Sequence, residues 1–156
     1  MKITGGPFLI YEIIPGKLYQ RGEIHHFSPD LKAEGLVHYG ITHAVALAPK
    51  NPDPDLLGWD PDIFGYTHYP ITDGELKVGV GTQLLVIAAL MAKEIAYGGC
   101  VLAMCEAGRN RSGLMSALIV RKILGMSGSD ALEYVQARRP NALANEHFAQ
   151  FLKELP

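Results

Sequence analysis

A cysteine and an arginine with five residues between them, Cys105 and Arg111, carry the clearest chemistry in the chain. They lie in Met104-Cys105-Glu106-Ala107-Gly108-Arg109-Asn110-Arg111-Ser112-Gly113. An apolar run, Val101-Leu102-Ala103-Met104, precedes them, and a helical pattern through Leu114, Leu118, Ile119, Ile123 and Leu124 follows. A buried strand, a short loop and a helix start are expected in that order. Such a loop turns successive backbone N–H groups into one concavity, and the helix N-terminus adds partial positive charge. The result is a cradle for a tetrahedral oxyanion. A cysteine at its lip ionises readily, and an arginine can fork two N–H groups onto the same anion. Most cysteines at strand ends are small core residues. Here the run Cys-x-x-Gly-x-x-Arg-Ser between a strand and a helix favours a thiolate nucleophile aimed at a phosphate.

The elements that must position this loop follow from periodicity and turn chemistry. Residues 10–14 and 17–20 read as short strands around a Pro15-Gly16 turn. Ser28-Pro29-Asp30 reads as a helix start, with Gly40 as the stop. Strands are expected over 41–48, 65–69 and 100–104, and a Pro- and Asp-rich surface loop over 49–64. An almost wholly apolar, largely buried helix is expected over 82–97, ended by Gly98-Gly99. Residues 111–124 form the helix behind the loop. Ser127 or Ser129 caps another helix, to about residue 138, and Asn145 caps the last. Strands alternating with helices specify an α/β fold: a mainly parallel sheet of four to five strands covered by helices on both faces.

Bulk properties narrow the class. Residues 1–156 are read as one domain, long enough for a real core. A formal charge of −2 gives no general attraction to nucleic acid or an anionic membrane. Glu12 and Pro15 interrupt the N-terminal apolar stretch, so no signal peptide is read there. The longest apolar run, Leu84 to Ala92, is far short of a membrane span. On one strand, Cys100 and Cys105 would stand about 16 Å apart and could not pair. A free thiolate nucleophile fits a reducing cytoplasm.

The chain resembles the protein tyrosine phosphatase superfamily, in particular its compact dual-specificity branch. The loop carries the resemblance, supported by Ile14-Pro15-Gly16-Lys17-Leu18-Tyr19, Pro70-Ile71-Thr72-Asp73, and Arg139-Pro140-Asn141 with Asn145 and Phe148. The resemblance implies a phosphatase that works through a cysteinyl-phosphate, with no cofactor and no metal. It implies action on phosphotyrosine in a protein or peptide, extending to phosphoserine and phosphothreonine where the pocket is shallow. Two rivals stay open. One is an RNA 5′-phosphatase on the same scaffold, whose loops share an Asn-Arg-Ser/Thr ending. The other is a non-catalytic phosphate-binding module. Oligomeric state is open.

Within that frame Cys105 is the nucleophile and Arg111 binds the phosphoryl oxygens. Ser112 donates to the thiolate and helps it leave. Backbone groups of Glu106, Ala107, Gly108, Arg109 and Asn110, with Arg111, would hold the phosphate. Arg109 either meets a second anionic group or is solvated. Asn110 replaces a glycine common in the family and suits a left-handed backbone. Met104 stands where the family carries the histidine that orders the loop. Glu106 beside the nucleophile opposes highly anionic substrates such as polyphosphoinositides. Two aspartates compete as general acid. Trp59-Asp60-Pro61-Asp62 evokes the Trp-Pro-Asp loop of larger tyrosine phosphatases. Asp73, however, follows the strand over 65–69 and should share an edge with Cys105, whereas Asp62 precedes that strand. Asp73 is therefore the expected acid. Histidines 25, 26, 38, 43, 68 and 147 have no metal-ligand spacing.

Overall fold

The computed structural model describes residues 10–22, 32–50, 53–55 and 57–156. The expected helix start at Ser28-Pro29-Asp30 and the pair His25-His26 lie outside the described residues.

The described chain runs β1 (Ile10–Ile14), β2 (Leu18–Gly22), α1 (Ala33–Tyr39), β3 (His43–Ala46), β4 (Gly65–His68), α2 (Val80–Ala96), β5 (Val101–Cys105), α3 (Arg111–Leu124), α4 (Gly128–Arg138) and α5 (Glu146–Lys153). The strands form one sheet in the order β1-β2-β5-β3-β4. β1 and β2 form an antiparallel hairpin around Gly16, whose φ is 68°. The β2–β5, β3–β5 and β3–β4 pairs are parallel. The mainly parallel α/β architecture expected from the alternation of elements is present.

β5 is the central strand, and all five of its residues are buried. Side chains alternate across a strand. Val101, Ala103 and Cys105 face a core built with α2, α3, α4 and α5. Cys100, Leu102 and Met104 face a second core on the α1 side. The five-residue strand is buried on both faces, which is why it reads as continuously apolar.

Two expectations change. The excursion over 49–64 is not wholly on the surface. Its Leu57, Trp59 and Phe64 are buried in the α1-side core. α1 has only seven residues and covers part of that face, so the loop seals the rest. α2 is the converse case. It buries Leu84, Ile87, Ala88, Met91, Ala92 and Ile95, while Val86 and Leu90 stay exposed. A helix on the outside of a sheet has one inner face, whatever the composition of its outer one.

Caps behave as their residue types require. Gly40 ends α1 in the left-handed region at φ 74°. Ser127 Oγ accepts from the Asp130 N–H at the start of α4. Asn145 Oδ1 accepts from the N–H groups of His147 and Phe148 at the start of α5.

Candidate active site

β5 delivers Cys105 to the carboxyl edge of the sheet, and α3 begins six residues later. Between them lies the loop from Glu106 to Asn110. Cys105 Sγ is hydrogen-bonded to Ser112 Oγ at 3.2 Å, from the first turn of α3. Both residues are almost wholly buried. Burial pushes Cys100 up to about 12, with Glu12 adding to the effect, so it stays a protonated thiol at neutral pH. Both cysteines are free. Met104 packs on the opposite face of β5 from Cys105, in the α1-side core. An apolar side chain fills that place fully, with no exposed surface.

The loop is held from outside by its carbonyl oxygens. Gln20 Nε2 and Arg139 Nε both donate to Gly108 O, at 3.0 and 2.9 Å. Arg139 Nη2 donates to Ala107 O at 3.3 Å. The Leu143 N–H donates to Arg109 O at 3.3 Å. Carbonyls engaged in this way suit a loop whose N–H groups serve an oxyanion. Arg139 also lies over the Tyr11 ring, 4.7 Å from its centroid. Burial lowers the Arg139 pKa from its ordinary value, though a guanidinium keeps its charge at any physiological pH.

Gly108 is the loop residue with positive φ, at 68°. A Cβ there would lie 2.4 Å from Gly22 N and 2.6 Å from Arg21 C. Gly22 is equally constrained, because its Cβ would lie 2.7 Å from Glu106 O. Asn110, expected to suit a left-handed backbone, has φ −93° and ψ −59° instead. The tight turn is completed at Gly108, so Asn110 already carries the right-handed geometry of α3.

Arg111 is buried, with 9% relative exposure. Its Nη1 donates to Ile71 O at 3.4 Å, and Nη2 lies 3.7 Å from Glu106 Oε2. Its buried Nε has no hydrogen-bond partner among the described residues. A buried guanidinium this sparsely satisfied is suited to a bidentate anion. Glu106 is therefore turned towards the cradle's arginine, although its side chain stays largely exposed. Arg109 is neither free in solvent nor placed with Arg111. Its Nε donates to Asn141 O at 3.1 Å.

Asp73 stands at the same edge. β4 ends at His68, and the chain continues through Ile71, whose N–H donates to Leu47 O at 3.0 Å. Asp73 Oδ2 accepts from Asn110 Nδ2 at 3.1 Å, and Oδ1 accepts from Asn145 Nδ2 at 2.8 Å. Asp62 lies before β4, at the amino end of the strands, where its N–H donates to Asp60 Oδ1. Trp59 is buried against Tyr66, with ring centroids 5.5 Å apart. Trp59 thus anchors its segment in the core on the α1 side, while Asp60, Pro61 and Asp62 are exposed. Asp73 is tied through Asn110 to the loop that follows Cys105.

Sequence reasoning gave no site role to Gln20, Gly22 or Arg139, and gave Asn145 only a capping role. Arg139 and Asn145 lie in the C-terminal motif that carried part of the resemblance, so a signal for them was present. Gln20 had none beyond being a polar residue in a short strand. Among the described residues, no group of three or more His, Cys, Asp or Glu is placed to hold a metal ion. Among them, too, no helix is long and apolar enough to cross a membrane.

No family model matches the chain. The dual specificity protein phosphatase Mpk3 of Drosophila melanogaster is 27% identical over 141 residues, 90% of this chain. The match spans about a third, 32%, of that relative's own length. Among solved structures, a mouse putative dual specificity phosphatase complexed with zinc tungstate aligns with a TM-score of 0.78. It is 25% identical, over 99% of this chain and 89% of that one. Human DUSP28 aligns with a TM-score of 0.76 at 21% identity, covering 99% and 95% of the two chains. The human tyrosine phosphatase-like serine/threonine/tyrosine-interacting protein aligns with a TM-score of 0.74 at 24% identity, covering 93% of each.

Proposed function

We propose that this chain is a member of the compact dual-specificity branch of the protein tyrosine phosphatase superfamily and hydrolyses phosphotyrosine in proteins or peptides. Phosphoserine and phosphothreonine would be further substrates. The observation that carries the reading is the Cys105–Ser112 contact of 3.2 Å in a loop flanked by the sparsely satisfied Arg111. Tungstate, bound by the mouse relative, is a tetrahedral oxyanion of the kind this loop would hold.

In the first step Cys105 Sγ attacks phosphorus and the bond to the leaving oxygen breaks. Asp73 protonates that oxygen as it departs. Arg111 and the N–H groups of residues 106–111 take up the charge that spreads over the phosphoryl oxygens. In the second step Asp73 accepts a proton from water, the water oxygen attacks the cysteinyl-phosphate, and Cys105 leaves as the thiolate. The Ser112 hydroxyl donates to that thiolate. Gln20 and Arg139 act through the loop, by holding its carbonyls outward. No step calls on a metal or a cofactor. Glu106, beside Arg111, disfavours substrates with several phosphates, polyphosphoinositides among them. A cytoplasmic site of action fits two cysteines that are both free.

Turnover should be assayed on an aryl phosphate, on phosphotyrosine, phosphoserine and phosphothreonine peptides, on a phosphoinositide, and on a 5′-triphosphorylated RNA. Phosphotyrosine peptide hydrolysis that disappears in Cys105→Ser is the expected result. Preference for the RNA would favour the rival substrate. Binding of vanadate without turnover of any substrate would make the chain a phosphate-binding module.

A further inference from the structure

Asp73 is gripped at both carboxylate oxygens by amides from two separate elements. Asn110, the last residue before α3, presents Nδ2 to Oδ2 at 3.1 Å. Asn145, at the cap of α5, presents Nδ2 to Oδ1 at 2.8 Å. Each amide is fixed in turn. Asn110 Oδ1 accepts from the Asn145 N–H at 3.2 Å, so its NH2 group is the one left for Asp73. Asn145 Oδ1 accepts from the N–H groups of His147 and Phe148, and its Nδ2 also reaches Gly74 O at 3.1 Å.

Asp73 lies on an exposed bend and is itself exposed. A carboxylate on such a segment turns about two side-chain torsions. A general acid works only within hydrogen-bond reach of the oxygen it protonates. Asn110 is covalently next to Arg111, so one side-chain contact ties the acid to the loop that binds the phosphoryl group. The shortest link between Cys105 and the Asp73 carboxylate then runs through residues 105–110 and that hydrogen bond. Sequence reasoning placed Asn110 among the phosphate-binding residues. That expectation concerns its backbone; its side chain is turned to Asp73.

We infer that Asn110, supported by Asn145, is the positioning residue for Asp73, and that its side chain acts on the acid rather than on the phosphate. The inference rests on the assignment of Asp73 as general acid made above. Neither amide gains or loses a proton; they hold the carboxyl group where the leaving oxygen will be.

The test compares phenyl phosphate, whose leaving group needs a proton, with dinitrophenyl phosphate, whose leaving group does not. The quantity is kcat/KM, which reports the step in which the leaving oxygen departs. Asn110→Ala should lower it about tenfold on phenyl phosphate and less than about twofold on dinitrophenyl phosphate, a part of the roughly 10²–10⁴ that a placed acid contributes. Vanadate inhibition should be unchanged. In an Asp73→Asn background the substitution should cost nothing further. Asn110→Asp keeps the shape and the acceptor for Asn145 while removing the donor, and should move the ratio of the two substrates the same way. Equal losses on both substrates, weakened vanadate binding, or losses that add to those of Asp73→Asn would overturn the inference. If Asp73→Asn itself shows no leaving-group dependence, the acid assignment falls and this inference with it. If Asp73→Asn behaves as an acid variant and Asn110→Ala does not, only this inference falls.

Discussion

Gly108 and Gly22 meet backbone to backbone: a Cβ on Gly108 would lie 2.4 Å from the Gly22 nitrogen. The loop that follows Cys105 is therefore seated directly on the end of β2. Gly108 also has φ 68°, where a side chain is strained. Gly108→Ala should cost about 1–3 kcal/mol of stability and displace the loop N–H groups. Vanadate inhibition should weaken by about tenfold or more, by the value of one or two lost charge-assisted hydrogen bonds. Gly22→Ala should act in the same direction, because its Cβ would lie 2.7 Å from Glu106 O. Wild-type kinetics in both variants would show that the loop does not need this seat.

Cys105 and Cys100 should separate cleanly by reactivity. Iodoacetate at neutral pH should modify Cys105 alone, and vanadate should protect it. Peptide mapping by mass spectrometry reads the outcome directly. Cys105→Ser should abolish turnover and keep vanadate or phosphate binding, while Cys100→Ser keeps most activity.

Alkaline stability follows from the buried thiol. Burial raises Cys100 from its ordinary 9.0 to about 12, and raises Tyr19 from 10.0 to about 12. Each group holds its proton more tightly folded than unfolded. The stabilisation is complete below the unfolded value and is lost as pH rises through the folded one. The Tm should therefore hold up to about pH 9 and fall as pH rises towards about 12. The fall should be shallower in Cys100→Ser. A Tm that rises over that interval would contradict the burial argument.

Asp73→Asn should lower kcat/KM on phenyl phosphate by about 10²–10⁴-fold, with a much smaller deficit on dinitrophenyl phosphate. Asp62→Asn should be near-silent on both. The reverse pattern would place the acid at the other end of β4.

Arg139 never meets the substrate in this reading, yet it holds two loop carbonyls, at 2.9 and 3.3 Å. Arg139→Ala should weaken vanadate inhibition by about tenfold, the value of roughly one hydrogen bond to a charged group. Arg139→Lys should not restore it, because an ammonium lacks the planar fork that spans two carbonyls. Full affinity in Arg139→Ala would remove the outward hold on the loop as an explanation of the cradle.

The sequence by itself determined whatever depends on neighbours along the chain. The run from Cys105 to Ser112 specifies a strand end, a short loop and a helix start, each a matter of local hydrogen bonding and backbone freedom; that the left-handed residue is Gly108 and not Asn110 came from the structure. Gly40 and Asn145 ended or capped their helices for the same local reason, the cap of α4 was narrowed to Ser127 or Ser129, and the apolar strand before Cys105 marked a buried parallel centre. The order of elements then placed Asp73 and Cys105 at one edge, because parallel strands share a direction. Only the tertiary structure decided what crosses between distant segments. Gln20 and Arg139 converge on Gly108 O from residues 88 and 31 positions away. Which side chains meet there depends on the register of β2 against β5 and on the packing of α4, and no local pattern encodes either. Asn110 shows the limit most clearly. Its position in the loop was legible, but the side chain turned to Asp73 because Asn145, brought in by α5, occupied its oxygen.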